Sequence, residues 1–142
     1  MTAGAAADPW ALYAGSRDRF IELVRSLSAD ELDRTIPLTP GWTVTQALAH
    51  VCGLNGDLAS GLREGLGAAE RTAHQVDSRA ELTAAEICEE WLGHGDTVKA
   101  IIDEHGFLGR RLAADLVIHL HDVQHALGRP IDTEDDVPVD AG

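Results

Sequence analysis

The chain has 142 residues and a formal net charge of −13, a length that suits one domain with its own core and a charge that repels phosphate backbones and anionic lipid surfaces. Nucleic-acid and membrane-surface roles are therefore not expected, and 44% hydrophobic residues argue against a mostly disordered chain. Aromatics make up only 4%, so the core is expected to be built from Leu, Val, Ile and Ala, a mixture that favours helices packed on helices.

Residues 1–8 are small and expected to fray. A first helix is predicted from about Pro9 to Leu27, with Asp8 as its N-cap and Trp10, Tyr13, Phe20, Leu23, Val24 and Leu27 as apolar positions. Ser28-Ala-Asp-Glu31 matches a capping box for a short helical turn. The segment from Ile36 to Trp42 holds two prolines and a glycine and reads as a loop. Thr43-Val-Thr-Gln46 is a second capping box, opening a helix predicted to reach about Leu66. A polar link follows near Glu70–Leu82. Thr83-Ala-Ala-Glu86 caps a third long helix ending at His105-Gly106, with Gly93 and Gly95 weakening its middle. A fourth runs from about Leu108 to Leu127, stopped by Gly128 as a C′ residue with Pro130 beyond. Residues 131–142 form an acidic tail, expected to be irregular. Four capped amphipathic helices predict an all-α four-helix bundle in a single domain, with a core over about residues 9–130.

No apolar run reaches spanning length, and the N-terminus MTAGAAADPW has neither a basic segment nor a long apolar one, so no signal peptide is expected. Cys52 and Cys88 lack CxxC spacing and read as buried thiols in a reducing cytoplasm. One lysine against ten arginines, with abundant Ala, Gly and Asp, is the bias of a high-GC genome such as an actinobacterial one.

The unusual stretch is DLVIHLHDVQHALG, residues 115–128, which puts three histidines and two aspartates into a helix. At 100° per residue, Asp115 and His119 share a face with Leu112, Leu116, Asp122, Val123 and Ala126 within about 120° of arc. His121 and His125 point roughly the other way and read as a solvated pair. An ionised carboxylate on a core face needs a partner, and a metal ion is one; an internal Asp–His salt bridge is the other reading. A metal site that does chemistry usually has three protein ligands, so the third must come from another helix. His50, near the border of the second helix's apolar stripe, is a candidate, and His94 is its rival. Trp42 reads as a packing residue that seats the loop before the second helix.

Two motifs carry a family resemblance. Pro40-Gly-Trp-Thr-Val-Thr-Gln-Ala-Leu-Ala-His50 resembles the signature opening the second helix in the DinB-like, mycothiol-dependent maleylpyruvate isomerase N-terminal family. Asp115-Leu-Val-Ile-His119-Leu-His-Asp122, followed by Ala126-Leu-Gly, resembles that family's second signature. The resemblance implies a DinB-like four-helix bundle holding a divalent metal, usually zinc, on His50, Asp115 and His119, with Asp122 orienting a ligand histidine. The isomerase has glutamate where this chain has the shorter Asp115.

The resemblance further implies mycothiol as cosubstrate. A metal lowers the pKa of a bound thiol, and the resulting thiolate is a nucleophile toward small electrophilic substrates. Two imidazoles and a carboxylate also suit non-haem iron, so zinc is favoured by resemblance alone. The expected function is thus a metal-dependent, thiol-using transferase or isomerase of small molecules. A non-catalytic bundle that binds a metal or small ligand is the alternative, and a purely structural helical domain is a third. Bundles of this size often pair, which makes a homodimer a further expectation.

Overall fold

The computed structural model describes residues 8–37, 41–62, 64–65 and 68–129. Among these the chain is all-helical, in the order α1 (Pro9–Arg25), α2 (Ala29–Leu32), α3 (Val44–Ala59), α4 (Ala69–Asp77), α5 (Ala84–Gly93), α6 (Gly95–Glu104) and α7 (Gly106–Ala126). No helix among the described residues is long and apolar enough to cross a membrane. The N-terminal residues 1–7 and the acidic tail lie outside the described residues.

The local start signals act as their chemistry dictates. Asp8 accepts from the Ala11 N–H at the head of α1. Ser28/Glu31, Thr43/Gln46 and Thr83/Glu86 each form the reciprocal pair of a capping box, satisfying backbone donors that a helix start leaves unpaired. At the other end, Gly61 (φ 104°) stops α3 and Gly128 (φ 69°) stops α7. In each case the glycine and the residue after it donate back into the last turn. The α3 helix therefore ends at Ala59, short of the expected Leu66, because Gly61 turns the chain into a left-handed conformation.

Two other elements differ from the sequence reading. The predicted single third helix is two helices, α5 and α6, which meet at His94 (φ −84°, ψ −2°). Gly93 and Gly95 flank this point, and each costs helix propensity on the order of 1 kcal/mol relative to Ala. The predicted polar link near Glu70–Leu82 contains a helix, α4. Its propensity is ordinary, but Gln75 and Val76 are buried, and tertiary packing overrides a weak local signal.

Helix α1 packs chiefly on α7, and α3 packs on α4 and α5, while α6 touches α1, α3 and α7. Between them lie Leu48, Val51, Ile87, Val98, Ile102, Leu116, Leu120 and Val123, all buried. The few aromatics are concentrated at the centre rather than absent from it. Trp91, Tyr13 and Phe20 are at most 1% exposed, and Phe20 meets Trp91 edge-on at 5.8 Å between ring centroids. The polar ends of this cluster are paired. Trp91 Nε1 donates to the Tyr13 hydroxyl (2.9 Å), which donates to Asn55 Oδ1 (2.7 Å), and Asn55 Nδ2 donates to the Val51 carbonyl (2.8 Å). Burial pushes the Tyr13 hydroxyl up to about 12, so it stays a neutral donor.

Tyr13→Phe keeps the ring but leaves the Trp91 N–H and Asn55 Oδ1 buried without a partner. It is expected to cost about 1–3 kcal/mol, read as a lower urea midpoint with an unchanged slope.

Candidate metal centre

Helices α3 and α7 bring His50, Asp115 and His119 together. One ligand atom from each lies within 4.8 Å of the other two, the one such set of three or more His, Cys, Asp or Glu residues among the described residues. Asp115 and His119 are one turn apart on α7, with Asp115 Oδ2 3.6 Å from His119 Nε2. The His50 ring faces the edge of the His119 ring at 5.1 Å between centroids. Around a tetrahedral zinc with bonds of 2.0–2.1 Å, ligand atoms stand roughly 3.3 Å apart. The three groups are already gathered near that spacing, and small side-chain rotations close the rest, so the donor set fits a divalent cation.

The site sits on the shoulder of α7 rather than on its core face. Leu116, Leu120, Val123 and Leu127 define the buried stripe, whose centre is rotated by about 120° from Asp115 at 100° per residue. The Asp115 side chain is 42% exposed and that of His119 15%. The expectation that Asp115 lies on the core face is thus corrected: its carboxylate keeps contact with water, which removes much of the desolvation cost of its charge. Asp122 is half-buried on the same shoulder. His125, the outer member of the predicted solvated pair, is exposed.

Two neighbours that the sequence reading did not assign to the site complete its walls. The Trp42 ring packs on the His50 ring at 5.1 Å, tilted by 39°, so Trp42 seats a site histidine as well as the loop. The residues just before its loop, 38–40, lie outside the described residues, Pro40 of the motif among them. From α4, Gln75 Oε1 accepts from His50 Nδ1 at 2.8 Å, and Gln75 Nε2 donates to Asp57 Oδ2 at 2.8 Å. Arg71 grips the same carboxylate with two hydrogen bonds, of 2.8 and 2.6 Å, and this grip holds Asp57 below the usual carboxylate range. A Cβ at Gly53 would stand 2.5 Å from the Gln75 Cβ, so a glycine is what lets α4 come this close to α3. The sequence signal for α4 was the 71/75/79 spacing of Arg, Gln and Arg, a polar stripe that reads as a solvated face when its partners are unknown.

The rival ligand His94 is elsewhere. It caps α5 and its Nε2 lies 3.3 Å from Glu90 Oε2, a carboxylate that Arg79 also grips with two hydrogen bonds. Both cysteines are fully buried. The Cys52 sulfur points at the Ile87 carbonyl of α5 (3.6 Å), and burial pushes its thiol up to about 12. Burial raises the Cys88 thiol as well. Neither offers a thiolate at neutral pH.

Burial lowers the pKa of His50, and the neighbouring His119 adds to the effect, while Gln75 and Asp115 oppose it. In the metal-free protein His50 is therefore expected to titrate below the ordinary histidine value of about 6.5, measured by its ring-proton shifts. The unfolded chain takes up this proton first. Its contribution is nil above that value and destabilises the fold as pH falls from there to the folded-state pKa. Separately, Gly53→Ala is expected to cost about 1–3 kcal/mol through overpacking, with amide exchange in α4 accelerated more than in α1.

No curated protein and no solved structure matches the chain significantly. The model of the mycothiol maleylpyruvate isomerase N-terminal domain family matches residues 13–106, which span α1 to the first residue of α7 and include Trp42, His50 and Gln75. That match takes in about two thirds of the chain, and this protein belongs to the mycothiol maleylpyruvate isomerase N-terminal domain family.

Proposed function

We propose that this protein is a metal-dependent enzyme that uses a small thiol, mycothiol by family membership, to attack a small electrophilic substrate. His50, Asp115 and His119 are the ligands, zinc is the expected ion, and the fold is read as a DinB-like four-helix bundle in which α5 and α6 together take the place of the third helix. A divalent cation there supplies a thiolate at neutral pH by lowering the pKa of a bound thiol. The observation that carries the reading is the convergence of two imidazoles and a carboxylate, from two helices, on one point at the protein surface.

The chain's own residues have definable tasks. His50 and His119 donate neutral imidazole nitrogens, and burial favours that form at His50. Asp115 supplies negative charge, and its exposure leaves one side of the site open to solvent. Trp42 covers the His50 ring on another side and offers an apolar wall. Asp122, half-buried on the same shoulder, is read as the group that holds His119 in orientation. With both cysteine thiols buried and raised in pKa, the nucleophile has to come from outside the chain.

The test is elemental analysis of protein purified without a histidine tag. About one equivalent of metal is expected in the wild type, and most of it is expected to be lost in each of His50→Ala, Asp115→Ala and His119→Ala. Mycothiol-dependent consumption of an electrophile such as maleylpyruvate is then expected of the loaded wild type alone. No metal in the wild type, even after incubation with zinc, would overturn the metal reading. Metal without any thiol-dependent turnover would favour a binding role over catalysis.

A further inference from the structure

A chain of hydrogen bonds reaches His50 from α4, and its polarity is fixed at the far end. Arg71 only donates and the Asp57 carboxylate only accepts. The end of the Gln75 amide that faces Asp57 must therefore be its NH2, as the 2.8 Å contact from Nε2 has it. The carbonyl end then faces His50 Nδ1 (2.8 Å) and accepts from it. A neutral imidazole carries one ring proton, and this bond places that proton on Nδ1, which leaves the lone pair on Nε2.

The arrangement has little slack. Gln75 is fully buried, so water cannot stand in for a missing partner, and the Asp57 side chain is only 12% exposed. Arg79 Nη1 also donates to the Gln75 carbonyl of the main chain at 3.0 Å, which pins the residue from behind. Gly53 leaves the space for the Gln75 stem.

We infer that Gln75 is a positioning residue of this centre, which acts with Asp57 and Arg71 to set the tautomer of His50 so that Nε2 is the atom offered to a cation. The inference rests on the metal reading above, but the tautomer itself is a property of the metal-free chain. The acceptor at position 75 is what holds the ring proton on Nδ1. In Gln75→Leu that acceptor is gone while the Arg71–Asp57 pair stays intact, and the ring proton is free to move to Nε2. In Gln75→Glu a carboxylate stands in its place, can only accept, and keeps the proton on Nδ1. Gln75 belongs to no ligand set, and a role confined to packing would leave the tautomer unchanged.

The experiment is long-range proton–nitrogen NMR of 15N-labelled, metal-free protein, together with zinc affinity by competition with a chromophoric chelator. The expected results are Nδ1–H in the wild type, a shift of the ring proton toward Nε2 in Gln75→Leu, and zinc binding about 10–100-fold weaker in that variant. Gln75→Glu is expected to keep Nδ1–H and most of the affinity, because a carboxylate at position 75 can only accept. Nε2–H in the wild type, wild-type tautomer and affinity in folded Gln75→Leu, or loss of Nδ1–H in folded Gln75→Glu would overturn the inference while leaving the metal reading standing. A wild type that binds no zinc but whose tautomer shifts in Gln75→Leu would do the reverse.

Discussion

A buried primary amide needs two acceptors and an acceptor-seeking partner of its own, and Gln75 is such an amide with no exposure to water. Its demands organise one side of the molecule. Asp57 on α3 takes one end and His50, two turns earlier on the same helix, takes the other, so α4 can dock on α3 in only one register. Arg71 on α4 and Arg79 in the turn after it, four residues to either side of Gln75, then meet Asp57 and Glu90. The second of these pairs ties the end of α4 to α5. A helix whose one large apolar side chain is Val76 is thus held mainly by a polar network in which every member answers another.

The candidate ligands on α7 follow a different rule. His119 is turned toward the core and Asp115 away from it, so the cluster grades from a dry side to a wet one over a few ångströms. The dry side orients the imidazoles, and burial favours the neutral form of His50. The wet side lets a carboxylate remain ionised without the several kcal/mol that full burial of an unpaired charge costs. A centre buried throughout would need its charges balanced at all times, and one fully exposed would lose the ordering that Trp42 and Gln75 impose on His50.

Much of this was legible in the sequence, and what was not has a physical explanation. Helix starts could be read because a capping box is a local, three-residue device, and all three occur where Ser28, Thr43 and Thr83 place them. His50, Asp115 and His119 could be picked out because i,i+4 spacing is geometry and the motif around Trp42 is distinctive. The exact facing of α7 was misjudged because charged residues were averaged into the apolar arc, whereas the packed surface is set by Leu116, Leu120 and Leu127. Helix α4 escaped because its burial is carried by one amide and a single valine, Gln75 and Val76, and periodicity detects apolar stripes, not polar ones. The join at His94 shows the converse: two glycines mark it in the sequence, but whether they bend a helix or divide it depends on neighbours far away in the chain.

The ligand set also has a thermodynamic side. Helix α7 leans mainly on α1 and touches α3 only lightly, yet the three groups straddle α3 and α7. An ion shared between them is a cross-link that closes a long loop of chain, and such closures remove more freedom from the unfolded state than short ones. Because unfolding scatters the three donors, occupancy and folding become linked quantities, with apparent stability rising as the logarithm of free-ion concentration above the dissociation constant. A light helix contact would then be one whose strength the cell sets through its metal supply.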